Sequence, residues 1–518
     1  MNYFYFKLRQ LKLIFSNFRH LKLLSAIVFL FLTIFSYTQE TKENYIKTIE
    51  DLITKYNEAN YNDIYLSMFS ENYRNNISND DFEKTFKQIK WILGQINSKE
   101  FIEHSKGMEG EITLLPEIKL SFSKSSFPYV NYRFQFEREK YNFNVSIDND
   151  NKINEFSIFP FTENYSINSV NNIQVSENII DEKQQKIIFN KAKFFPDNTQ
   201  ISMAFIKNGK VKYYGVKRKN DTISEYINSK AVYEIGSISK IFTSNILANF
   251  VIANKLKLED NINGYINLDI NPDEDGSKKN ITFKSLSNHT SGLPREPENL
   301  LEKGGFSIKK LNPYKKEDFE SYLSESLKLN YEMIGEFSYS NLGVSLLGYI
   351  FTEMENLSYE SLYDKYIFSK YQLNNTTFKA EKVKDLFVEG SNIQGDKIPF
   401  FDRLVSGPAG GILSNTEDLV KYALLQFDGS DEELKLMREK TFKINSKRSM
   451  GLGWFIINPK SNKKRMYQHS GNTNGYSAFM MVDLENKDAV ILLSNVSYRN
   501  QHVQKINRLG YKLMRSLK

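Results

Sequence analysis

An α+β protein of more than one domain is what this amino-acid sequence predicts, and three observations carry that expectation. The first third of the chain runs from helix-period apolar spacing into strand-period alternation, the order of a small α+β unit. The remainder opens and closes on alternating hairpins, with strongly apolar helical runs between them. At 518 residues the chain exceeds one average domain, and 40% hydrophobic with 14% aromatic content is ample for packed cores.

Taken in order, residues 1–39 hold Lys7, Arg9, Lys12, Arg19 and Lys22 with no carboxylate, followed by the apolar stretch Leu23 to Phe35. A basic lead and an apolar run read as an export signal, because the run is shorter than the roughly 20 residues of a spanning helix. Ser36-Tyr37-Thr38 offers a cleavage site before Gln39. An uncleaved membrane anchor is the alternative, favoured by the long basic lead. Either way the expected location is outside the cytoplasm, periplasmic or extracellular, with envelope association if the segment is kept.

Residues 40–162 form the small unit. Tyr45, Ile49, Leu52, Ile53 and Tyr56 recur at helical spacing, and Ser78 with Asp81 precedes a second helix carrying Phe82, Phe86, Ile89 and Leu93. Val130, Tyr132, Phe134 and Phe136 then alternate, as do Tyr141, Phe143, Val145 and Ile147, with a further strand through Phe156 and Ile158. This order resembles the cone-shaped nuclear transport factor two-like fold. No acid–base pair stands out in it, so a spacer or docking role with an unknown partner is expected.

The polar stretch 163–182, rich in Asn and Ser, reads as a linker. From 183 to 518 the sequence predicts two strands around the Asn208-Gly209 turn, a late hairpin from Tyr476 to Asn495, and a final helix with Ile506, Leu509 and Leu513 on its apolar side. First and last strands would share one antiparallel sheet, with helices between Ser237 and Ala423 packed on its face.

Chemistry concentrates where a β-prone run, Ala231 to Ile235, breaks at Gly236 into Ser237-Ile238-Ser239-Lys240. A serine hydroxyl is a poor nucleophile at neutral pH, and a lysine three residues on places its amine one helical turn away on the same face. The helix start leaves the Ser237 amide unpaired and able to meet an oxyanion. S-x-x-K also occurs at Ser121, Ser307 and Ser461, but only Ser237 leads into a buried-looking helix of Ile241, Phe242, Ile246, Leu247 and Phe250. Downstream stand Tyr339-Ser340-Asn341 and His469-Ser470-Gly471.

This constellation resembles the serine β-lactamase and penicillin-binding protein superfamily, in its class C-like branch of D-peptidases and esterases, as an H-x-G variant. Further segments carry the likeness: His289-Thr290-Ser291-Gly292-Leu293-Pro294, Pro408-Ala409-Gly410-Gly411 and Gly451-Leu452-Gly453-Trp454. It spans from about Ile201 to the C-terminus. It implies a β-lactamase/D,D-peptidase-like fold, an antiparallel sheet flanked by helices plus a helical subdomain, with no cofactor. Ser237 would attack an acyl carbonyl, Lys240 and Tyr339 would share the proton work, and a cation beside the phenol would draw it from about 10 toward neutrality. Asn341 would bond the substrate amide or Lys240, and the amides of Ser237 and Asn472 would form the oxyanion hole. His289 would hold its loop together.

His469 stands, with Gly471, where penicillin-recognising members carry the lysine of K-T-G. Histidine, with a reference pKa of about 6.5, is mostly neutral at pH 7, so recognition of a substrate carboxylate weakens. The expectation is an exported hydrolase of an amide or ester, of esterase or D-amino acid peptidase type. The alternatives are a β-lactamase or D,D-carboxypeptidase, and a silent binding protein that keeps the fold.

Composition narrows the partners. Residues 1–39 carry five of the formal +7 charges, leaving +2 on the rest, and no basic patch with an interleaved aromatic platform marks nucleic acid as a partner. Without cysteine there is no disulfide or thiolate metal site. Asn271-Pro272-Asp273-Glu274-Asp275-Gly276 has Thr282 where a calcium loop needs its bidentate glutamate, so a surface turn is expected and no metal.

Overall fold

The computed structural model describes residues 44–105, 110–115, 118–122, 129–161, 163–175, 179–266, 270, 280–300, 305–307, 310–312, 314–400, 404–458 and 465–517. The 1–39 segment and the Asn271–Gly276 turn lie outside the described residues. The chain divides into two compact units, one of Met1–Glu137 with Tyr141–Phe159 and one of Arg138–Lys140 with Pro160–Lys518.

In the first unit, helix α1 (44–57) buries Tyr45, Ile49, Leu52 and Tyr56. Helix α2 (Asn79–Leu93) starts where Ser78 Oγ accepts from the Asp81 amide at 3.1 Å and stops at Gly94, whose φ of 81° no β-carbon tolerates cheaply. Strands β1 (Ile96–Ser105), β2 (Tyr129–Phe136), β3 (Lys140–Ile147) and β4 (Ile153–Pro160) follow in one sheet, in chain order. The core is aromatic, with Phe82 and Phe86 stacked at 4.2 Å and Phe134 on Phe143 at 4.8 Å. Strand β1 was not expected, because Lys99, Glu100 and Glu103 break its apolar alternation. An edge strand tolerates that pattern.

The second unit is built on a ten-stranded sheet. In chain order its strands are β5 (Val170–Asn172), β6 (Gln200–Lys207), β7 (Lys210–Lys219), β8 (Thr222–Glu225), β9 (Phe442–Lys443), β10 (Arg448–Met450), β11 (Phe455–Ile457), β12 (Met466–Asn472), β13 (Ser477–Asp483) and β14 (Asp488–Ser494). Their spatial order is β9-β10-β11-β12-β13-β14-β6-β7-β8-β5. First and last long strands meet as expected, with Ile491 opposite Ala204. Asn208 and Gly209, with φ of 51° and 76°, make the hairpin turn between β6 and β7.

The 163–182 stretch is not a free linker. Val170–Asn172 pairs in parallel with β8, and Arg218, 2% exposed, donates to Ser169 Oγ at 2.6 Å and to the Tyr165 carbonyl at 3.1 Å. A buried guanidinium needs many acceptors, and this segment supplies two of them.

Alternation along β6, β13 and β14 sends side chains to two separate cores. Ala204, Ile206, Met480, Val482, Ile491 and Leu493 face helices α4 (Ser239–Ile252), α5 (Asn341–Glu355) and α6 (Thr416–Leu425). Met203, Phe205, Phe479, Met481, Val490 and Leu492 face the unit's first helix, α3 (Glu182–Ala192), and its last, Gln504–Ser516. Among the described residues no helix is long and apolar enough to cross a membrane.

Candidate active site

Ser237 sits in a single 3-10 turn, Gly236–Ile238, that leads directly into α4. Gly236 has φ of 54°, and a β-carbon on it would come 2.7 Å from the Asn472 nitrogen. A β-carbon on Gly471 would come 1.8 Å from the Ile235 carbonyl oxygen and 3.1 Å from the Ser237 nitrogen. Two glycines therefore let the serine turn and the end of β12 touch through bare backbone, with the Asn472 nitrogen beside Gly236 and the Ser237 nitrogen beside Gly471.

One turn into α4, Lys240 is fully buried. Its Nζ donates to Ser237 Oγ at 3.0 Å and to the Ala409 carbonyl at 2.5 Å, so the Pro408-Ala409-Gly410-Gly411 segment serves as the lysine's anchor. The Tyr339 phenol shares a hydrogen bond with the same Ser237 hydroxyl. Lys240 Nζ lies 5.1 Å from the centre of the Tyr339 ring. Residues 102 positions apart in the chain thus meet at one hydroxyl.

The expected lowering of the Tyr339 phenol does not occur. Burial pushes it up to about 12, outweighing the Ser237 hydrogen bond and the Arg295 charge that pull it down, while Glu296 adds to the rise. Tyr339 is consequently a neutral phenol at ordinary pH and can donate a proton or a hydrogen bond.

Of the two partners expected for Asn341, Lys240 is not engaged. The Asn341 Nδ2 donates to Glu296, and the buried Oδ1 has no protein partner. The cause is local: the amides of Asn341 and Leu342 both donate to the Arg295 carbonyl, at 2.8 and 3.1 Å, which docks the start of α5 on the Arg295-Glu296 segment. Asn341 Oδ1 remains available to a substrate N–H.

His469 lies on β12, 2% exposed, and burial with the nearby Lys240 charge holds its imidazole down at about 3. Its Nδ1 is 2.8 Å from the Ser470 carbonyl; a carbonyl only accepts, so Nδ1 carries the proton and Nε2 is left as a buried acceptor without a protein partner. The ring is neutral throughout the physiological range.

Three neighbours were not assigned to the site by sequence reasoning. His289, whose φ of 64° and acceptance of the Ser340 amide at 3.3 Å fit a loop-holding role, also packs its ring 4.2 Å from that of Tyr339. Phe455 stacks on Tyr339 at 6.4 Å and lies 5.4 Å from His469. The exposed Arg295 guanidinium is 5.1 Å from the centre of the Tyr339 ring. The signal for Arg295 was its place directly after the Leu293-Pro294 loop; Phe455 had none. Among the described residues no group of three or more His, Cys, Asp or Glu is placed to hold a metal ion.

A serine with a buried lysine one turn on, a phenol on the same hydroxyl and two backbone amides beside it, at the edge of a sheet covered by helices, define a penicillin-recognising type of fold. Comparison with known proteins agrees. The Beta-lactamase family model matches residues 197–513, well over half of the chain, and the chain belongs to that family. A second model, a protein family of unknown function (DUF3887), matches residues 50–156.

Among curated relatives, a beta-lactamase of Providencia stuartii is 28% identical over 43% of this chain and 54% of its own length. Protein flp of Staphylococcus aureus strain MW2 is 24% identical over 59% of this chain and 61% of its own. The match therefore spans less than two thirds of either relative. Two solved structures share the fold: an octameric penicillin-binding protein homologue from Pyrococcus abyssi, at TM-score 0.51 and 23% identity over 64% of this chain and 75% of that one, and a beta-lactamase/D-alanine carboxypeptidase from Pseudomonas syringae, at 0.52 and 17% over 65% and 97%.

Proposed function

We propose that the chain is an exported serine hydrolase that opens an amide or ester through an acyl-enzyme on Ser237, of esterase or D-amino acid peptidase type. The observation that carries this reading is the double engagement of one hydroxyl, by Lys240 Nζ at 3.0 Å and by the Tyr339 phenol. Because Tyr339 stays protonated, we assign Lys240 as the acceptor for the Ser237 proton and Tyr339 as the donor to the leaving group. The alkoxide attacks the carbonyl carbon, the oxyanion rests on the amides of Ser237 and Asn472, and the C–N or C–O bond breaks as the leaving atom takes a proton. Water then attacks the acyl carbonyl and gives a proton to the Tyr339 phenolate, and Lys240 returns its proton to Ser237 Oγ as the acyl bond breaks, which restores all three groups. One oxyanion donor typically supplies about 3 kcal/mol of this.

Asn341 Oδ1 and Gly471 would line the bound acyl group. His469 supplies no charge for a carboxylate, which favours esters and amides over β-lactams. A β-lactamase or D,D-carboxypeptidase is the second reading, favoured by the names that relatives carry. The separating experiment runs short aryl esters, D-amino acid amides and a chromogenic cephalosporin side by side, with Ser237→Ala as control. Turnover of the first two classes well above the cephalosporin is expected. Preferential cephalosporin hydrolysis moves the assignment to the second reading, and no Ser237-dependent turnover of any of them removes the first. The reading of 1–39 as an export signal or anchor belongs to the same proposal, and fractionation of cells expressing the full chain tests it.

A further inference from the structure

The first and last helices of the second unit, Glu182–Ala192 and Gln504–Ser516, lie side by side on the sheet face opposite Ser237. Gln184 Nε2 joins them by donating to Ser516 Oγ at 3.1 Å. Their inward residues, Ile188 and Ala192 on one and Ile506, Leu509 and Leu513 on the other, are buried. Their outward sides are basic: Lys183, Lys186 and Lys191, then Lys193 just beyond, and Lys505, Arg508, Lys512 and Arg515, the last four at three-and-four spacing that makes one stripe. A shallow groove of about 660 Å³ between the helices is lined by Lys183, Lys186, Lys191, Lys512 and Arg515 together with Glu182.

The charge is concentrated. Eight cations face Asp181 and Glu182, an excess of six, whereas everything after residue 39 carries a net of only +2, so the rest of that length is net negative by four. Among the described residues one ion pair reaches the eight, the exposed Lys186–Glu182 contact at 3.6 Å. Crowding is felt: burial first, then Lys512, Lys505 and Arg508, lower the Lys191 ammonium, and burial with Arg508 and Lys193 lowers Lys505. Soluble proteins intersperse the two signs, and a single-sign face on a body whose remainder after residue 39 is net negative orients that body on a polyanion.

The polyanion best matched is a lipid surface. Nucleic acid is held by stacking platforms as well as charge; of the aromatic rings here Phe194 is capped by Lys505 Nζ at 3.7 Å and flanked by His502 at 4.9 Å, and Phe189 and Tyr511 are packed partly into the core beneath. Headgroup binding needs no such platform. The 1–39 segment, in its anchor reading, holds the chain at a bilayer, and in its export reading takes it through one. We propose that this two-helix face binds the headgroups of anionic phospholipids, with a phosphate seated in the groove between Lys186, Lys512 and Arg515 and the Ser237 side of the sheet turned away from the bilayer. This holds whether or not Ser237 is the nucleophile.

The test uses the full chain and sedimentation with vesicles of phosphatidylcholine alone or mixed with phosphatidylglycerol, at rising salt, with duplex DNA as a separate arm. The triple substitution Lys186→Gln, Lys512→Gln, Arg515→Gln changes only exposed side chains to good helix formers. Expected is a loss of at least about tenfold in binding to the phosphatidylglycerol vesicles and a weaker salt dependence, with binding to phosphatidylcholine unchanged. Undiminished binding of the triple variant to phosphatidylglycerol hands that role to the cations of 1–39 and overturns the proposal. So does a wild-type chain that binds both vesicles equally, or three cations that matter for DNA and not for lipid.

Discussion

The two faces of the ten-stranded sheet are packed by the same alternation, yet they hold different kinds of interior. Behind Met203, Phe205 and Leu492 two helices close a largely apolar core, with the Gln184–Ser516 hydrogen bond joining them. On the other face α4 buries Lys240, Thr243, Ser244 and Asn245 completely. Each of these is held by a specific partner: Thr243 by the Pro408 carbonyl at 2.7 Å, Ser244 by Ser287 at 2.7 Å, Asn245 by the Tyr422 phenol at 2.9 Å. One face is stabilised by area and the other is fixed in geometry by hydrogen bonds, since a buried polar group without a partner costs about 1–3 kcal/mol. Reactivity can be built only on the second kind of face.

Substitutions should therefore separate cleanly by readout. On the reactive face, Ser237→Ala is expected to lower ester turnover by roughly 10⁴- to 10⁶-fold while circular dichroism is unchanged. Next, Lys240→Ala and Tyr339→Phe should each reduce kcat/KM by about 10²- to 10⁴-fold. Lys240→Ala should be the more damaging, because the phenol is held up at about 12; the reverse order in steady-state kinetics would give the base role to Tyr339. On the apolar face, Leu509→Ala should cost about 2–5 kcal/mol in denaturant unfolding and leave turnover per folded molecule as it was. A large kinetic effect there would break the division between the faces.

The last expected effect is on pH. His469 and His289 are both buried and neutral, their imidazoles held below the usual range chiefly by desolvation, His469 at about 3. Below about 6.5 the unfolded chain takes up these protons and the folded one does not. Stability is thus fully present above that pH and falls as pH drops toward 3, by up to about 1.4 kcal/mol per unit for each ring. Equilibrium unfolding between pH 4 and 7, about the window these rings define, should show a shallower slope in His469→Gln. In the same window kcat should show no inflection that His469→Gln abolishes.

Much of this was legible in the sequence, for reasons that differ by residue. Ser237, Lys240, Tyr339 and His469 sit in short motifs, of which S-x-x-K recurs elsewhere in the chain, and it is their order and flanking residues, read without the fold, that single them out. The hairpin at Asn208-Gly209 and the helix bearing Leu509 followed from period alone. What escaped depends on distant packing. The phenol of Tyr339 is raised by desolvation, and no local pattern encodes the neighbours, Phe455 and His289, that exclude water from it. Asn341 turned to Glu296 because of a backbone contact 46 positions away in the chain, between its amide and the Arg295 carbonyl. The edge strands Ile96–Ser105 and Val170–Asn172 carry polar residues that read as loop, and pairing alone makes them strands.

Peptide mapping after treatment with a serine-directed phosphonate tests the central claim most directly. A single adduct on the peptide containing Ser237, absent from Ser237→Ala and slowed in Lys240→Ala, is the predicted result. An adduct on any other residue, or equal labelling of the Ser237→Ala chain, contradicts it.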